Sequence, residues 1–476
     1  MIKDCVKSAV EQHIGTSIQA DGGNLLNDTA KNKIQSISTT QFYSLMESVF
    51  ASLSNLIIQT KQIREVIHQH CAETSTLHFL RQEMDKALET CCEVGQSRAS
   101  TLLSTRDEDV KKMSKDDILT YMKLPQEFIN KCEQVLSNSK RINVLRTTMT
   151  SQGQLFLEEF DKTRISNLNL LLHNESWKPA PQIPVQFQLY VDEFAPTDMT
   201  RYDQNAEGKK TFAYLMIQNT NFLVCQTMLN LVSMINEYYE WFGPQYQHFI
   251  TPIDIGNKLF NLVSTFNTRM NRLVLGAGAL NSAANLRSIT GKHLLLSSEC
   301  ANFLLHFVPF LKEAVLKRSN LQQQQMLTRQ LDSFVHDCSE HRRKIFDQLT
   351  AIMSDTIDSV VDKAIHQFKW NDVKDEDPTP LTELIKNLNF LQSAAVQFLE
   401  SHPEDLSLFF GKIIKMCFDK LPSCLRTLNK SGSIHAKGKA AVRKGVVKLE
   451  TSITKWTAQC HINNVDFSVI EDAIKS

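Results

Sequence analysis

Apolar residues return at three- and four-residue steps along most of the chain, the spacing that puts them on one face of an α-helix. The pattern is clearest from Phe42 onward, where Leu45, Met46, Val49, Leu53, Leu56, Ile57 and Ile63 share a stripe. At 1.5 Å per residue, a helix from Phe42 to Ile67 would be roughly 39 Å long. The same period predicts helices over 77–104, 115–137 and 150–173, and then over 211–240, 253–275, 290–318, 326–369, 380–400, 404–429 and 439–458. The predicted fold class is all-α: an elongated rod of stacked antiparallel helical bundles, with 211–476 packing as consecutive antiparallel helices.

The pattern fades in four places. Residues 1–40 are polar and weakly periodic, with Asp21-Gly-Gly-Asn24 as a helix breaker, and are expected to be a mobile lead-in. Between Trp177 and Lys210, Pro179, Pro181, Pro184 and Pro196 exclude a regular helix and suggest an extended linker. Asn371–Pro380 is an acidic turn with two prolines, and Lys430–Lys439 is rich in Gly, Ser and Lys. The expected organisation is a lead-in (1–40), a helical middle region (41–176), a Pro-rich linker (177–210), a bundle (211–320) and a C-terminal bundle (321–476).

Two stretches need a separate decision. Thr211–Asn236 carries no charged side chain, but ten of its 26 residues are Thr, Asn, Gln or Ser. A spanning helix needs about 20 predominantly apolar residues, so the expectation is a buried helix and no transmembrane segment. The second stretch is the end of the 253–275 helix, where Gly276 and Gly278 lack a Cβ and invite a structural corner. Thr290 is the expected N-cap of the helix that follows, which carries Leu294, Cys300, Phe303, Leu304, Phe307 and Leu311 on its apolar stripe.

Composition narrows the function classes. Lys plus Arg and Asp plus Glu both number 52, so no global charge footprint points to nucleic acid. Eleven scattered cysteines without a C-x-x-C and without a leading signal sequence read as buried thiols of a reduced, cytosolic chain. The sequons at Asn27, Asn174 and Asn429 are taken as chance matches.

Candidate chemistry is sparse. Gly276-Ala-Gly278 lacks a third glycine and ends a helix instead of opening one, so it is no phosphate cradle. His336 and Cys338 diverge by about 200° around a helix and cannot converge on one metal with His341; His68, His70 and Cys71 read equally as surface and core residues. No G-x-S-x-G, H-E-x-x-H or P-loop signature occurs. No catalytic residue, metal, cofactor or small-molecule substrate is predicted. One local charge feature remains: Lys437, Lys439, Arg443, Lys444 and Lys448, with no acid before Glu450. It is either a solvated helix face or a contact for a membrane or partner, each basic residue adding about 1 kcal/mol near anionic headgroups.

Four blocks resemble a known family in its own order. They are Asn167–Lys178 with its N-E-S-W-K ending, LVLGAGAL followed by L-x-S-I-T-x-K-H-L-x-L-S-S-x-C through Cys300, the region from Asp337 to Asp355, and His402-Pro-Glu-Asp405. Together they resemble the middle and C-terminal regions of the vacuolar protein sorting-associated protein 54 family, over about 41–428. The resemblance implies a non-enzymatic subunit of the Golgi-associated retrograde protein (GARP) tethering complex, with the fold of multisubunit tethers. It implies the other GARP subunits and SNARE proteins as partners, peripheral contact with Golgi and endosomal membranes, and a place on the cytosolic face of the trans-Golgi network. Family members are longer, and the N-terminal part associated with coiled-coil assembly is expected to be missing here, so assembly is expected to be weak or to need a separate polypeptide. A helical cytoskeletal or scaffold adaptor, or an unrecognised helical enzyme, is the alternative.

Overall fold

A computed structural model describes residues 2–15, 28–70, 75–136, 143–196, 211–276, 278–281, 288–374, 378–430, 434–462 and 466–475. The fold is all-α: the described residues form 16 helices and almost no sheet. It divides into two compact units: one holds Met1–Ile165 with Glu237–Leu259, the other Ser166–Asn236 with Phe260–Ser476.

The first unit is built around α3 (Thr39–His70) and α4 (Ser75–Ser104). The predicted stripe is its core: Leu45, Met46, Val49 and Leu53 are buried with Leu88, Cys92 and Leu102. α6 (Lys115–Val135) closes this core, with Phe128 set 5.5 Å from Phe50. Its first turn carries a reciprocal cap, in which the Asp117 N–H donates to Ser114 Oγ at 3.1 Å and the Ser114 N–H to Asp117 Oδ2 at 3.3 Å. The expected mobile lead-in is instead partly helical: α1 (Ile2–Ile14) and α2 (Asp28–Ser36) bury Val6, Ala9 and Val10, and Ala30 and Ile34. These small apolar sets form only one narrow stripe each, and packing of α1 against α3 and of α2 against α1 supplies what local periodicity lacked. The Asp21-Gly-Gly-Asn24 breaker lies outside the described residues.

The second unit is organised by α11 (Gly291–Leu316), which packs on α12 (Leu321–Asp362) and α13 (Pro380–Leu399). α14 (Pro403–Lys430) packs on α12, α15 (Ala436–Gln459) on α13, and α16 (Ser468–Lys475) on α14. Among the described residues α11 is the one helix long and apolar enough to cross a membrane by length and composition, and 78% of that apolar window is buried in the protein.

Two expectations are corrected in this unit. Residues 177–196 are not an extended linker: Trp177, Ala180, Ile183 and Val191 are buried, and Val185–Asp192 forms the short helix α8. The prolines sit where no ladder N–H is needed, while the Ala180 N–H donates to Val224 O at 2.9 Å. The predicted helix over 211–240 begins only at α9 (Gln226–Glu240). Before it, Leu215–Ile217 and Thr220–Phe222 pair as an antiparallel hairpin, and Thr211–Phe212 pairs with Ile183–Pro184. The segment is rich in Thr, Phe, Tyr, Ile and Val, which favour strands, and Gln218 takes the positive φ of 55° that its two-residue turn requires. Gln188 holds the hairpin like a short strand, accepting from the Met216 N–H at 2.8 Å and donating to Met216 O at 2.9 Å.

Candidate functional site

The N-E-S-W-K block is a structural device. Glu175, buried at the end of α7 (Val144–His173), accepts the Thr227 N–H at 2.8 Å and the Thr227 hydroxyl at 2.7 Å, satisfying free donors at the start of α9. Its other oxygen accepts the Trp177 N–H at 3.0 Å, and this fixes Trp177 at φ 54° with its ring buried.

Gly276 and Gly278 lie at the end of α10 (Pro252–Val274). The Gly276 N–H reaches back five residues to Asn271 O at 3.3 Å, a wider closing bond of the kind that ends a helix. A Cβ at Gly276 would sit 2.6 Å from Arg272 O, and one at Gly278 would sit 3.0 Å from the same atom. The chain can turn back over its own carbonyl only without side chains there, so this pair shapes the backbone.

The histidine and cysteine near 336–341 do not converge. Cys338 faces inward and donates to Ala301 O at 3.4 Å, while His336 is exposed. Among the described residues no group of three His, Cys, Asp or Glu side chains could hold a metal ion. His70 is the last residue of α3, and Cys71 lies outside the described residues.

A buried polar cluster went unnoticed in the sequence. Glu299, 1% exposed, lies on α11 with its Oε2 3.6 Å from His402 Nε2 at the start of α14. Arg342 from α12 grips Asp405 with two contacts, 2.5 and 3.3 Å. The hairpin adds Phe222, its ring 5.2 Å from His306 and 5.3 Å from His402. Burial pushes the Glu299 carboxyl up to about 8 against the opposing pull of Arg342 and Asn302, and burial with Arg342 and His306 pulls His402 down to about 4. Both groups are therefore neutral near pH 7, and the charge is confined to the Arg342–Asp405 pair. The one signal available was a carboxylate in the middle of L-L-L-S-S-E-C, a run otherwise fit for a core.

The five basic residues proposed as one contact divide between two flanks of α15. Its buried side is Gly438, Val442, Gly445, Val446, Leu449, Ile453 and Trp456. Lys437, Lys444 and Lys448 fall on one flank, at steps of seven and four, and line a cavity of about 390 Å³ with Lys374, Thr379 and Thr382. Lys439 and Arg443 fall about 200–240° away from Lys437 around the helix and do not line it.

Residues 219–356, from the hairpin turn to the last third of α12, match the family model described as Vps54-like protein. Vacuolar protein sorting-associated protein 54 of Mus musculus is 29% identical over 362 residues, covering 74% of this chain and 35% of the relative. That of Homo sapiens is 28% identical over 367 residues, covering 75% and 36%. The chain thus carries a Vps54-like segment and is similar to vacuolar protein sorting-associated protein 54 over about three quarters of its length. A more distant relative, vacuolar protein sorting-associated protein 54, chloroplastic, of Arabidopsis thaliana, is 22% identical over 445 residues, 74% of this chain and 40% of its own length. The chain spans about a third of the length of the mouse and human relatives. The Vps54-like segment contains Phe222, the glycine corner, Glu299, His306 and Arg342, whereas His402, Asp405 and the whole lysine-lined cavity lie beyond it.

Proposed function

We propose that the chain is a non-catalytic subunit of a GARP-type tethering complex, acting in retrograde transport from endosomes to the trans-Golgi network through protein and membrane contacts. The observation that carries this reading is similarity to vacuolar protein sorting-associated protein 54 over about three quarters of the chain. The architecture supports it: stacked helices whose interiors hold side chains, with polar clusters neutralised by burial instead of opened to a substrate. The other GARP subunits and SNARE proteins are the proposed partners, and the cytosolic face of trans-Golgi and endosomal membranes is the proposed location. Affinity purification of the tagged chain, with identification of the proteins that accompany it, tests the reading. Recovery of the other GARP subunits is the expected result; consistent recovery of cytoskeletal proteins without them would replace it with the adaptor reading.

A further inference from the structure

We propose that the cavity between the 215–222 hairpin and the end of α13 is a docking site for an extended segment of another protein chain. That segment adds to the free edge of Thr220–Phe222 and sets a basic side chain against Glu400. The proposal specifies one protein contact of the tethering reading and rests on that reading only for its biological setting.

The hairpin has two outer edges, and one is filled. Both main-chain groups of Met216 go to the Gln188 side chain, the N–H donating to Oε1 at 2.8 Å and the carbonyl accepting from Nε2 at 2.9 Å. Met216 stands opposite Asn221 in the hairpin register. In an antiparallel pair, opposed residues either exchange both main-chain bonds or turn both pairs of groups outward. The N–H and C=O of Asn221 therefore point to the outer edge of Thr220–Phe222, the side away from Gln188. Asn221 is exposed and lines a cavity of about 330 Å³. An open edge beside a cavity is a template for another strand, with main-chain bonds along the edge and a pocket for its side chains.

The opposite wall decides what that strand carries. α13 ends with Glu400 as its C-cap, so a carboxylate stands at the negative end of a helix, where a cation is favoured and an anion is not. Glu400 is exposed, lines the same cavity, and has no hydrogen-bond or ion-pair partner among the described residues. No Lys or Arg stands among the described lining residues. The charge that completes the cavity is therefore positive. Gln397 and Ser401 add uncharged polar groups, while Leu223 and Phe398, both buried, give the wall an apolar patch. Main-chain groups on one side and an apolar patch beside a carboxylate suit a peptide carrying Arg or Lys better than a free amine. The volume lies at the small end of the pocket range, roughly 300–1,000 Å³, which fits the side chains of a strand better than a whole helix.

The test is fluorescence anisotropy of a labelled peptide titrated with the intact chain. The probe alternates threonine and valine over seven residues around one central arginine. Saturable binding is expected, and a probe with glutamate in place of the arginine is expected not to bind. Methylating the probe's main-chain amides keeps its side chains but removes its edge bonds, and should weaken binding at least about tenfold. Glu400→Gln should weaken the parent probe about fivefold, whereas Asp355→Asn, the same charge change on the exposed face of α12, should cost less than about twofold. Asn221→Pro removes the outward N–H without touching the hairpin ladder, and should also cost about fivefold with the unfolding midpoint in place. Should that variant fail to fold, the methylated probe tests the same edge on the parent protein. No saturable binding would overturn the site, as would equal binding of the methylated or glutamate probe, or equal losses from Glu400→Gln and Asp355→Asn. Spermidine competing as well as unlabelled peptide would overturn the strand. Arg201, Lys209 and Lys210, outside the described residues, are expected on joint replacement by Gln to leave binding unchanged. Binding seen only in that variant would mean that the chain fills its own cavity, and would overturn the outside partner. The chain is measured alone with a synthetic peptide, so failure here would leave recovery of other subunits untouched, and failure of that recovery would leave this result standing.

Discussion

Helices α11 and α12 pack against each other, yet they handle polar residues in opposite ways. α11, 26 residues long, is buried on nearly every side, and its interior set includes Ser297, Ser298, Glu299 and Asn302. α12, 42 residues long, buries a single stripe through Leu327, Leu331, Phe334, Cys338, Ile345, Leu349, Met353, Ile357 and Val360, and leaves the rest to water. In α12 a polar side chain needs no partner because solvent supplies one. In α11 it must be bonded or uncharged, since an unpaired buried charge costs several kcal/mol. A substitution should therefore be judged by which helix holds it before its chemistry is considered.

The largest expected contrast is in packing. Leu304 on α11 is fully buried, and Leu304→Ala should destabilise the protein by about 2–5 kcal/mol. Ile352 on α12 is an apolar residue of the helix predicted over 326–369 but is 39% exposed, and Ile352→Ala should cost under about 0.5 kcal/mol. Denaturant unfolding of the whole chain measures both. Equal costs would mean that the two helices do not differ in this way.

Protonation gives the next effect. Glu299 holds its proton up to about pH 8 in the folded chain and releases it near the ordinary 4.5 when unfolded, so its contribution to stability falls as pH rises from about 4.5 to 8. His402 runs the other way: folded at about 4 against an ordinary 6.5, it adds stability as pH rises from about 4 to 6.5. The two offset each other below about pH 6.5, which leaves a net loss between about 6.5 and 8 from Glu299. Glu299→Gln should remove that loss and stabilise the chain by on the order of 2–4 kcal/mol at pH 8, while changing little near pH 5. The groups facing this site are Asn302 and His306 on α11, Arg342 on α12 and Asp405 on α14, so unfolding should be followed across pH in the variant and the parent together.

Removing Arg342 sharpens the same comparison. Its paired contact with Asp405 is half-buried, and Arg342→Ala should cost about 1–3 kcal/mol and move the Glu299 window to higher pH, because the guanidinium is what opposes the effect of burial. Arg343, one residue on, pairs with Glu340 and Asp347 in open solvent, and Arg343→Ala should leave the unfolding midpoint where it is.

What could be read in advance follows from the same contrast. The stripe of α12 and the apolar face of α10 were legible because one face is wet and the other dry, which is what gives a period its amplitude. α11 was placed by its cap and its apolar content, but an all-round buried helix hides the one residue that needs explaining, Glu299. Residues 211–224 were misread because Thr, Gln and Asn spaced among Phe, Leu and Ile imitate a helical stripe, and the Gln218-Asn219 turn lacks the glycine that would have marked a hairpin. The basic residues of α15 were recognised as a set, but its division into two flanks depends on which side of the helix Gly438 and Gly445 press inward.

The smallest expected effect concerns how the two helices begin. At α12 the Gln323 N–H donates to Asn320 Oδ1 at 2.9 Å and the Asn320 N–H to Gln323 Oε1 at 3.2 Å, a reciprocal cap made of groups that do not titrate near neutral pH. At α11 the Thr290 N–H donates to His293 Nδ1 at 3.2 Å, so the acceptor is an imidazole nitrogen that must be free of its proton. Burial, with Lys178 nearby, holds His293 below its ordinary range, so this contact stabilises the chain above about pH 6.5 and is lost as pH falls through the lowered folded value. Asn320→Ala should therefore cost about 1 kcal/mol at every pH between 5 and 8. His293→Ala should cost no more than that at pH 8 and progressively less toward acid, where the parent has already lost the bond. Amide exchange at Thr290 and Asn320 across pH reads the two caps separately, and a pH-independent Thr290 would show that the imidazole is not its acceptor.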